Sequence, residues 1–226
     1  MSEPYYQDDR VTLYHGDCRE VTEWLDADVL VTDPPYGRAW KQGELNGYGK
    51  NAGIAGDADT ATRDAALALW GNRPAIVFGD LMLPPPSGVQ QVGAYRKPTD
   101  AGTRGTTAGH RRDLEAIYWL GGWPSGLGGR SSLYATTAPS MIGLTAARYR
   151  NDRGTGHPHT KALDVMEALI AKTVGTVADP FSGSGSTLVA AKQLGRTAIG
   201  VELEERYCEV IAKRLAQDVL DFGEGA

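Results

Sequence analysis

Asp33-Pro34-Pro35-Tyr36 sets a carboxylate, two rings of fixed backbone angle and an aromatic face in consecutive positions. The prolines restrict their own backbone and that of Asp33, so the Asp33 carboxylate and the Pro34 carbonyl can be held toward one point. Two fixed acceptors aimed at one spot suit an amino group. An exocyclic amine of a nucleobase, or a side-chain amide, is a weak nucleophile because its lone pair is delocalised into the adjacent π-system. Hydrogen bonds from its N–H groups to Asp33 and Pro34 would draw the nitrogen toward a tetrahedral, nucleophilic geometry. Tyr36 offers a flat surface on which a planar substrate can stack. A lone Asp-Pro pair marks only a turn, whereas the full quartet with Pro35 and Tyr36, directly after an apolar run, marks a site.

A second constellation is Asp179-Pro180-Phe181-Ser182-Gly183-Ser184-Gly185-Ser186-Thr187, between an apolar run and a helical stretch. Glycines at 183 and 185 permit a tight turn and close backbone approach to a ligand, and Ser186 or Thr187 can cap the helix that opens there. The next apolar run, Ala198-Ile199-Gly200-Val201, ends on Glu202. That is about the distance at which an acidic residue reaches ribose hydroxyls in dinucleotide folds. Turn and carboxylate together point to a nucleoside-containing cofactor.

Strands must position both groups. Val29-Leu30-Val31-Thr32 reads as a buried strand of a parallel sheet that breaks where Pro34 removes a donor, and its carboxyl end is where open α/β sheets bind ligands. Val174 to Ala178, Val11 to Tyr14, Pro74 to Phe78 and Leu114 to Leu120 read as further strands, and Thr60 to Leu69 as a helix. Thr160 can cap a helix whose Leu163, Met166, Leu169 and Ile170 share one face; Tyr207, Val210, Ile211 and Leu215 do the same in the last helix. The fold class is α/β, a Rossmann-like, mostly parallel twisted sheet with helices on both faces. Residues 37–57 form a glycine-rich stretch with Trp40, Lys41, Tyr48 and Lys50, a candidate mobile loop that closes over an extruded nucleotide.

Together these residues resemble the S-adenosylmethionine-dependent amino-group DNA methyltransferases (the N6-adenine/N4-cytosine family). The order of parts resembles the family's beta arrangement, in which the catalytic quartet precedes a target-recognition segment and the cofactor turn comes last. Gly16-Asp17-Cys18, Phe78-Gly79-Asp80 and His157-Pro158-His159-Thr160-Lys161 fit the same pattern. The resemblance implies a class I methyltransferase fold in permuted order, with Asp33 and Pro34 as acceptors for the target amine and Tyr36 as the stacking partner of a flipped base. It further implies that Asp179, Phe181, Gly183, Gly185, Ser186 and Thr187 line the cofactor, that Glu202 holds its ribose and that Asp17 approaches its adenine. Thr160 and Lys161 would close its methionine end. The family often has proline after that lysine, where this chain has Ala162, which puts the rigidity of that loop in question. The implied reaction is direct methyl transfer to nitrogen, without a metal or a covalent enzyme intermediate. Adenine N6 is favoured because Asp opens the quartet. Cytosine N4, an RNA amine, a glutamine amide, an inactive nucleic-acid-binding module and a nucleotide-binding oxidoreductase are the alternatives.

Charge along the chain agrees with a nucleic-acid partner. The net charge is -5, yet residues 95–161 hold 10 Lys and Arg against 4 Asp and Glu, so that span carries +6 and the remainder -11. Arg130, Arg148, Arg150 and Arg153, interleaved with Tyr134 and Tyr149, are candidate DNA contacts, as are Trp40, Tyr48 and Lys50. Residues 121–156 are the candidate target-recognition insert within a single methyltransferase domain, 1–226. The insert is short for an elaborate specificity element, which leaves low specificity or a homodimer open, and a restriction endonuclease is a further candidate partner. Two cysteines give no disulfide framework, and the polar N-terminal segment lacks the apolar core of a signal peptide, so a cytoplasmic, membrane-free protein is expected.

Overall fold

The computed structural model of the chain describes residues 2–39, 54–97, 107–125, 128–136 and 160–217. Nine strands form one sheet: β1 (Tyr6–Gln7), β2 (Val11–His15), β3 (Val29–Thr32), β4 (Ala75–Gly79), β5 (Val89–Arg96), β6 (Leu114–Leu120), β7 (Leu133–Ala135), β8 (Val177–Asp179) and β9 (Ala198–Glu202). Their order across the sheet is β1-β2-β9-β8-β3-β4-β6-β5-β7. The central run from β2 to β4 is parallel throughout, while β6 runs antiparallel between β4 and β5.

The apolar strands are buried because both faces of the sheet are covered. The described helices are α1 (Ala61–Trp70), α2 (Leu163–Ile170), α3 (Ser186–Gln193) and α4 (Glu205–Gln217), with a short 3-10 turn at Glu23–Asp26. One face packs Val29, Val31, Ile76, Phe78 and Ile117 against Met166, Leu169 and Ile170 of α2, Leu188 of α3 and Ile211 of α4. The other packs Leu30, Val77 and Ala178 against Trp24 and Trp70, whose rings stack 5.8 Å apart. No helix among the described residues is long and apolar enough to cross a membrane.

Several local expectations are corrected. Thr160 does not cap α2: Ala162 is the N-cap, with φ -67° and ψ 130°. That φ is the one proline imposes, so the backbone reaches the helix along the path proline would have set, without its ring. Neither Ser186 nor Thr187 caps α3, whose N-cap is Gly185 in the left-handed region. Between β2 and β3 the chain makes the 3-10 turn at Glu23–Asp26. Among the described residues of the 121–156 insert, β7 lies parallel to β5, pairing Ala94 with Leu133 and Arg96 with Ala135. β5 itself has no clear sequence signature, because Gln90, Gln91 and Gly93 break the apolar alternation and a bulge falls between Val89 and Gln91.

Candidate active site

Parallel pairing brings both constellations to one edge of the sheet. β3 and β8 are neighbours, with Leu30 opposite Ala178, so Asp33 just beyond β3 and Asp179 at the end of β8 leave the sheet side by side. Thr32 Oγ1 donates to Asp179 Oδ1 at 2.7 Å across that boundary. β9 and β2 continue the row, with His15 opposite Glu202, and the Gly16 N–H donates to the Glu202 carbonyl at 2.9 Å. Asp17, Glu202, the turn after Asp179 and Asp33 to Tyr36 thus line the carboxyl ends of four adjacent strands, where such sheets hold ligands.

The turn after β8 needs its glycines. Gly183 and Gly185 have φ 52° and 81°, a region disfavoured for side chains, and a Cβ on Gly185 would lie 2.9 Å from Ile211 Cγ1. The Ser182 N–H donates to the Val201 carbonyl at 3.0 Å and the Gly183 N–H to Glu202 Oε2 at 2.7 Å, folding the turn over the end of β9. Ser186 Oγ donates to the Lys161 carbonyl at 3.0 Å, and Thr187 bonds Asp179, so these two tie the turn to its neighbours instead of capping α3. Phe181 is half-buried, its N–H donating to Asp179 Oδ1 at 3.2 Å.

Two carboxyls here are pushed upward by burial. Desolvation raises Asp179 to about 6 against the opposing hydrogen bonds from Thr187 and Thr32. It raises Glu202 to about 7, although the N–H groups of Glu204 and Gly183 bond its two oxygens. Each Glu202 oxygen accepts one of these bonds and keeps a further lone pair, so this carboxylate suits a ligand with a positive centre and hydroxyl groups. Asp17, by contrast, is already held by Arg19, which lowers its acidity range.

Within the Asp33 to Tyr36 quartet, Tyr36 Oη donates to Asp33 Oδ1 at 2.6 Å, and Lys161 Nζ contacts Asp33 Oδ2. The ammonium is buried, 3.3 Å from Tyr36 Oη and 5.0 Å from the Phe78 ring centroid. Burial pushes Tyr36 well up, helped by the Asp33 charge. Behind Lys161 stands Glu115 on β6, 3.3 Å away and bridged at 2.6 Å to Lys97. Sequence reasoning missed Glu115; the available signal was a lone carboxylate in the apolar run of β6. It also missed Asp57, which is buried and accepts from the Gly37 N–H at 2.8 Å and the Arg38 N–H at 3.3 Å. Together with the Arg38–Asp80 ion pair, it anchors the chain as it leaves the quartet.

Of the expected DNA contacts, Arg130 is exposed near β7 and Tyr134 lies half-buried on it, tilted against Trp119. Trp40, Lys41, Tyr48, Lys50, Arg148, Tyr149, Arg150 and Arg153 lie outside the described residues, as do 40–53 of the candidate loop and His157 to His159.

This sheet order, with a glycine turn and a buried acidic pair at its carboxyl edge, defines a class I methyltransferase fold. Residues 93–214 match the family model for N6/N4 DNA methylases, and the chain belongs to that family. The type II methyltransferase M2.LlaDCHI of Lactococcus lactis subsp. cremoris is 26% identical over 252 residues, covering 95% of this chain and 93% of that protein. A relative in Escherichia coli (strain K12) is 40% identical over 91 residues, a stretch that spans 38% of its length. Among solved structures, the M1.HpyAVI-SAM complex superposes with a TM-score of 0.57 at 22% identity, covering 91% of this chain and 98% of that one. The cytosine-N4-specific PvuII DNA methyltransferase superposes with a TM-score of 0.59 at 16% identity, covering 93% and 88%.

Proposed function

We propose that this chain transfers a methyl group from S-adenosylmethionine to the exocyclic amine of a base in DNA, adenine N6 first. The observation that carries the reading is the adjacency of Asp33 to the turn after Asp179, closed by the Thr32–Asp179 bond. S-adenosylmethionine, when bound, supplies an electrophilic methyl on a sulfonium. Asp179, Phe181 and Gly183 to Thr187 would hold it, with Glu202 on its ribose, Asp17 toward its adenine and Thr160 with Lys161 at its methionine end. The raised carboxyls beside the turn fit such a ligand.

On this reading Asp33 and the Pro34 carbonyl accept the N–H groups of the target amine, Pro35 stiffens the turn and Tyr36 supports the base. Extruding a base costs a few kcal/mol, which stacking partly offsets. Asp33 then takes the proton that the methylated nitrogen must lose. Asp at the head of the quartet favours adenine; cytosine N4 is the second reading, because one family model describes both amines.

DNA is the partner, gripped by the basic segment that includes Arg130, Arg148, Arg150 and Arg153 and by Trp40, Tyr48 and Lys50 of the 37–57 loop. Residues 121–156 serve as the target-recognition insert of one methyltransferase domain in a cytoplasmic enzyme. A homodimer and a cognate endonuclease are the further partners to seek, the latter because M2.LlaDCHI is a type II enzyme. The test is to incubate the protein with DNA and labelled S-adenosylmethionine, digest, and identify the nucleoside by mass spectrometry. N6-methyladenine is expected, N4-methylcytosine would select the second reading, and no labelled nucleoside would end both.

A further inference from the structure

Glu115 is buried on β6 with no role in the chemistry described so far. Its Oε1 meets Lys97 Nζ at 2.6 Å, while its Oε2 makes no well-aligned hydrogen bond and faces Lys161 Nζ at 3.3 Å. Lys161 in turn sits on Asp33 Oδ2. Two carboxylates and two ammonium groups therefore alternate from the catalytic quartet toward the surface: Asp33, Lys161, Glu115, Lys97. Their formal charges cancel. The last is the most open, with 24% of its side chain exposed.

This arrangement raises a problem for catalysis. The ammonium of Lys161 occupies a place on Asp33 that a target amine would compete for, and a buried ammonium does not give up a carboxylate partner without another acceptor. The underused oxygen of Glu115 is that acceptor. We propose that Glu115 is a positioning residue that takes up Lys161 as the target amine engages Asp33, so that Asp33 passes from its internal cation to the substrate without stranding a buried charge. The proposal rests on the methyl-transfer reading.

The groups facing Lys161 are Asp33 and Tyr36 beyond β3, Glu115 on β6, and Lys97 through Glu115, with the uncharged Phe78 ring from β4. Burial pulls the Lys161 ammonium down, and Asp33 and Glu115 more than offset it, leaving it raised. Removing the Glu115 charge lowers the pH at which Lys161 loses its proton; removing Lys97 raises it, because Glu115 then has one cation to serve. A residue that only fills space produces no such opposed pair.

The experiment compares Glu115→Gln, Glu115→Asp and Lys97→Gln with the unaltered chain. Glu115→Gln should lower kcat roughly 100-fold, the scale of a misplaced reacting group, with the S-adenosylmethionine Kd within about twofold. Glu115→Asp should recover part of the loss. The alkaline limb of kcat should move to lower pH in Glu115→Gln and to higher pH in Lys97→Gln. NMR titration of labelled lysine side chains should show the same opposed shifts at Lys161. Unchanged kcat in Glu115→Gln, a loss matched by lost cofactor affinity, or shifts of one sign in both variants would overturn the proposal. Should Glu115→Gln not fold, Lys97→Gln at its more open position decides by the direction of its shift. If the unaltered chain methylates no DNA, the methyl-transfer reading fails instead, and the lysine titration, which needs no turnover, still decides whether Glu115 holds Lys161.

Discussion

Thr32 and Asp179 are 147 positions apart and joined by a 2.7 Å hydrogen bond from Thr32 Oγ1 to Asp179 Oδ1. Both are buried, and the bond fastens the end of the strand that carries the quartet to the end of the strand that carries the cofactor turn. A direct link between these two strand ends has consequences for stability and, on the proposed reading, for turnover.

Thr32→Val keeps the shape and removes the hydroxyl, leaving Asp179 with one fewer donor in a buried place. A loss of about 1–3 kcal/mol is expected, hence a Tm lower by roughly 2–12 °C, with kcat reduced and Thr32→Ser restoring both. Thermal melts and single-turnover kinetics check it; a Thr32→Val protein with unaltered Tm and rate would show that the bond carries no weight.

On the proposed reading, Asp33→Ala removes an acceptor of the target amine without touching the turn after Asp179. The methylation rate should fall by about 1000-fold or more, while S-adenosylmethionine affinity by calorimetry stays within a few-fold. Near-native turnover in this variant would remove Asp33 from the chemistry.

Protons should leave the site when the cofactor binds. Burial raises Glu202 from its ordinary 4.5 to about 7 and Asp179 from 3.8 to about 6. A carboxyl raised on folding keeps its proton where the unfolded chain has released it. Its contribution therefore favours the folded state below this window and is lost as pH rises from 4.5 to about 7 for Glu202 and from 3.8 to about 6 for Asp179. A positive ligand with hydroxyl donors favours the ionised forms. Affinity should increase between about pH 5.5 and 7.5 with net proton release, and Glu202→Gln should remove most of that release. Calorimetry in buffers of different ionisation enthalpy reads the proton count directly, and zero release across the window would contradict the assignment.

Charge removal at Arg148 and Arg150 should weaken DNA binding and reduce the slope of log affinity against log salt by about 2. Fluorescence anisotropy at several salt concentrations measures it. An unchanged slope would place the phosphate contacts elsewhere in the chain.

The local backbone was legible where it depends on covalent constraint. β3 ends before the two prolines, and Gly183 and Gly185 have the positive φ that few other residues tolerate. The buried strands were legible for a related reason: β3 and β4 are wholly apolar or sealed, as covered parallel strands must be. β5 was not, because a strand near the sheet edge with partly open faces tolerates glutamine and glycine. The caps were misjudged because Thr160, Ser186 and Thr187 had the right chemistry for N-caps, but tertiary neighbours drew Ser186 and Thr187 away and Ala162 and Gly185 took the cap positions.

From composition and order alone follow the α/β class, the Asp33 to Tyr36 quartet, the glycine turn after Asp179 and the basic middle of the chain, since each is written in residues adjacent to one another. Which strands lie side by side, and hence that Asp33 meets Asp179, that Glu202 closes on Gly183, and that Glu115 stands behind Lys161, was decided only by the folded sheet. Ion pairs and strand neighbours join residues more than a hundred positions apart, such as Lys161 and Asp33, 128 apart, and no local pattern encodes a partner at that distance. Packing does, because the apolar strands must be covered on both faces and the buried Lys161 ammonium must meet the carboxylates of Asp33 and Glu115.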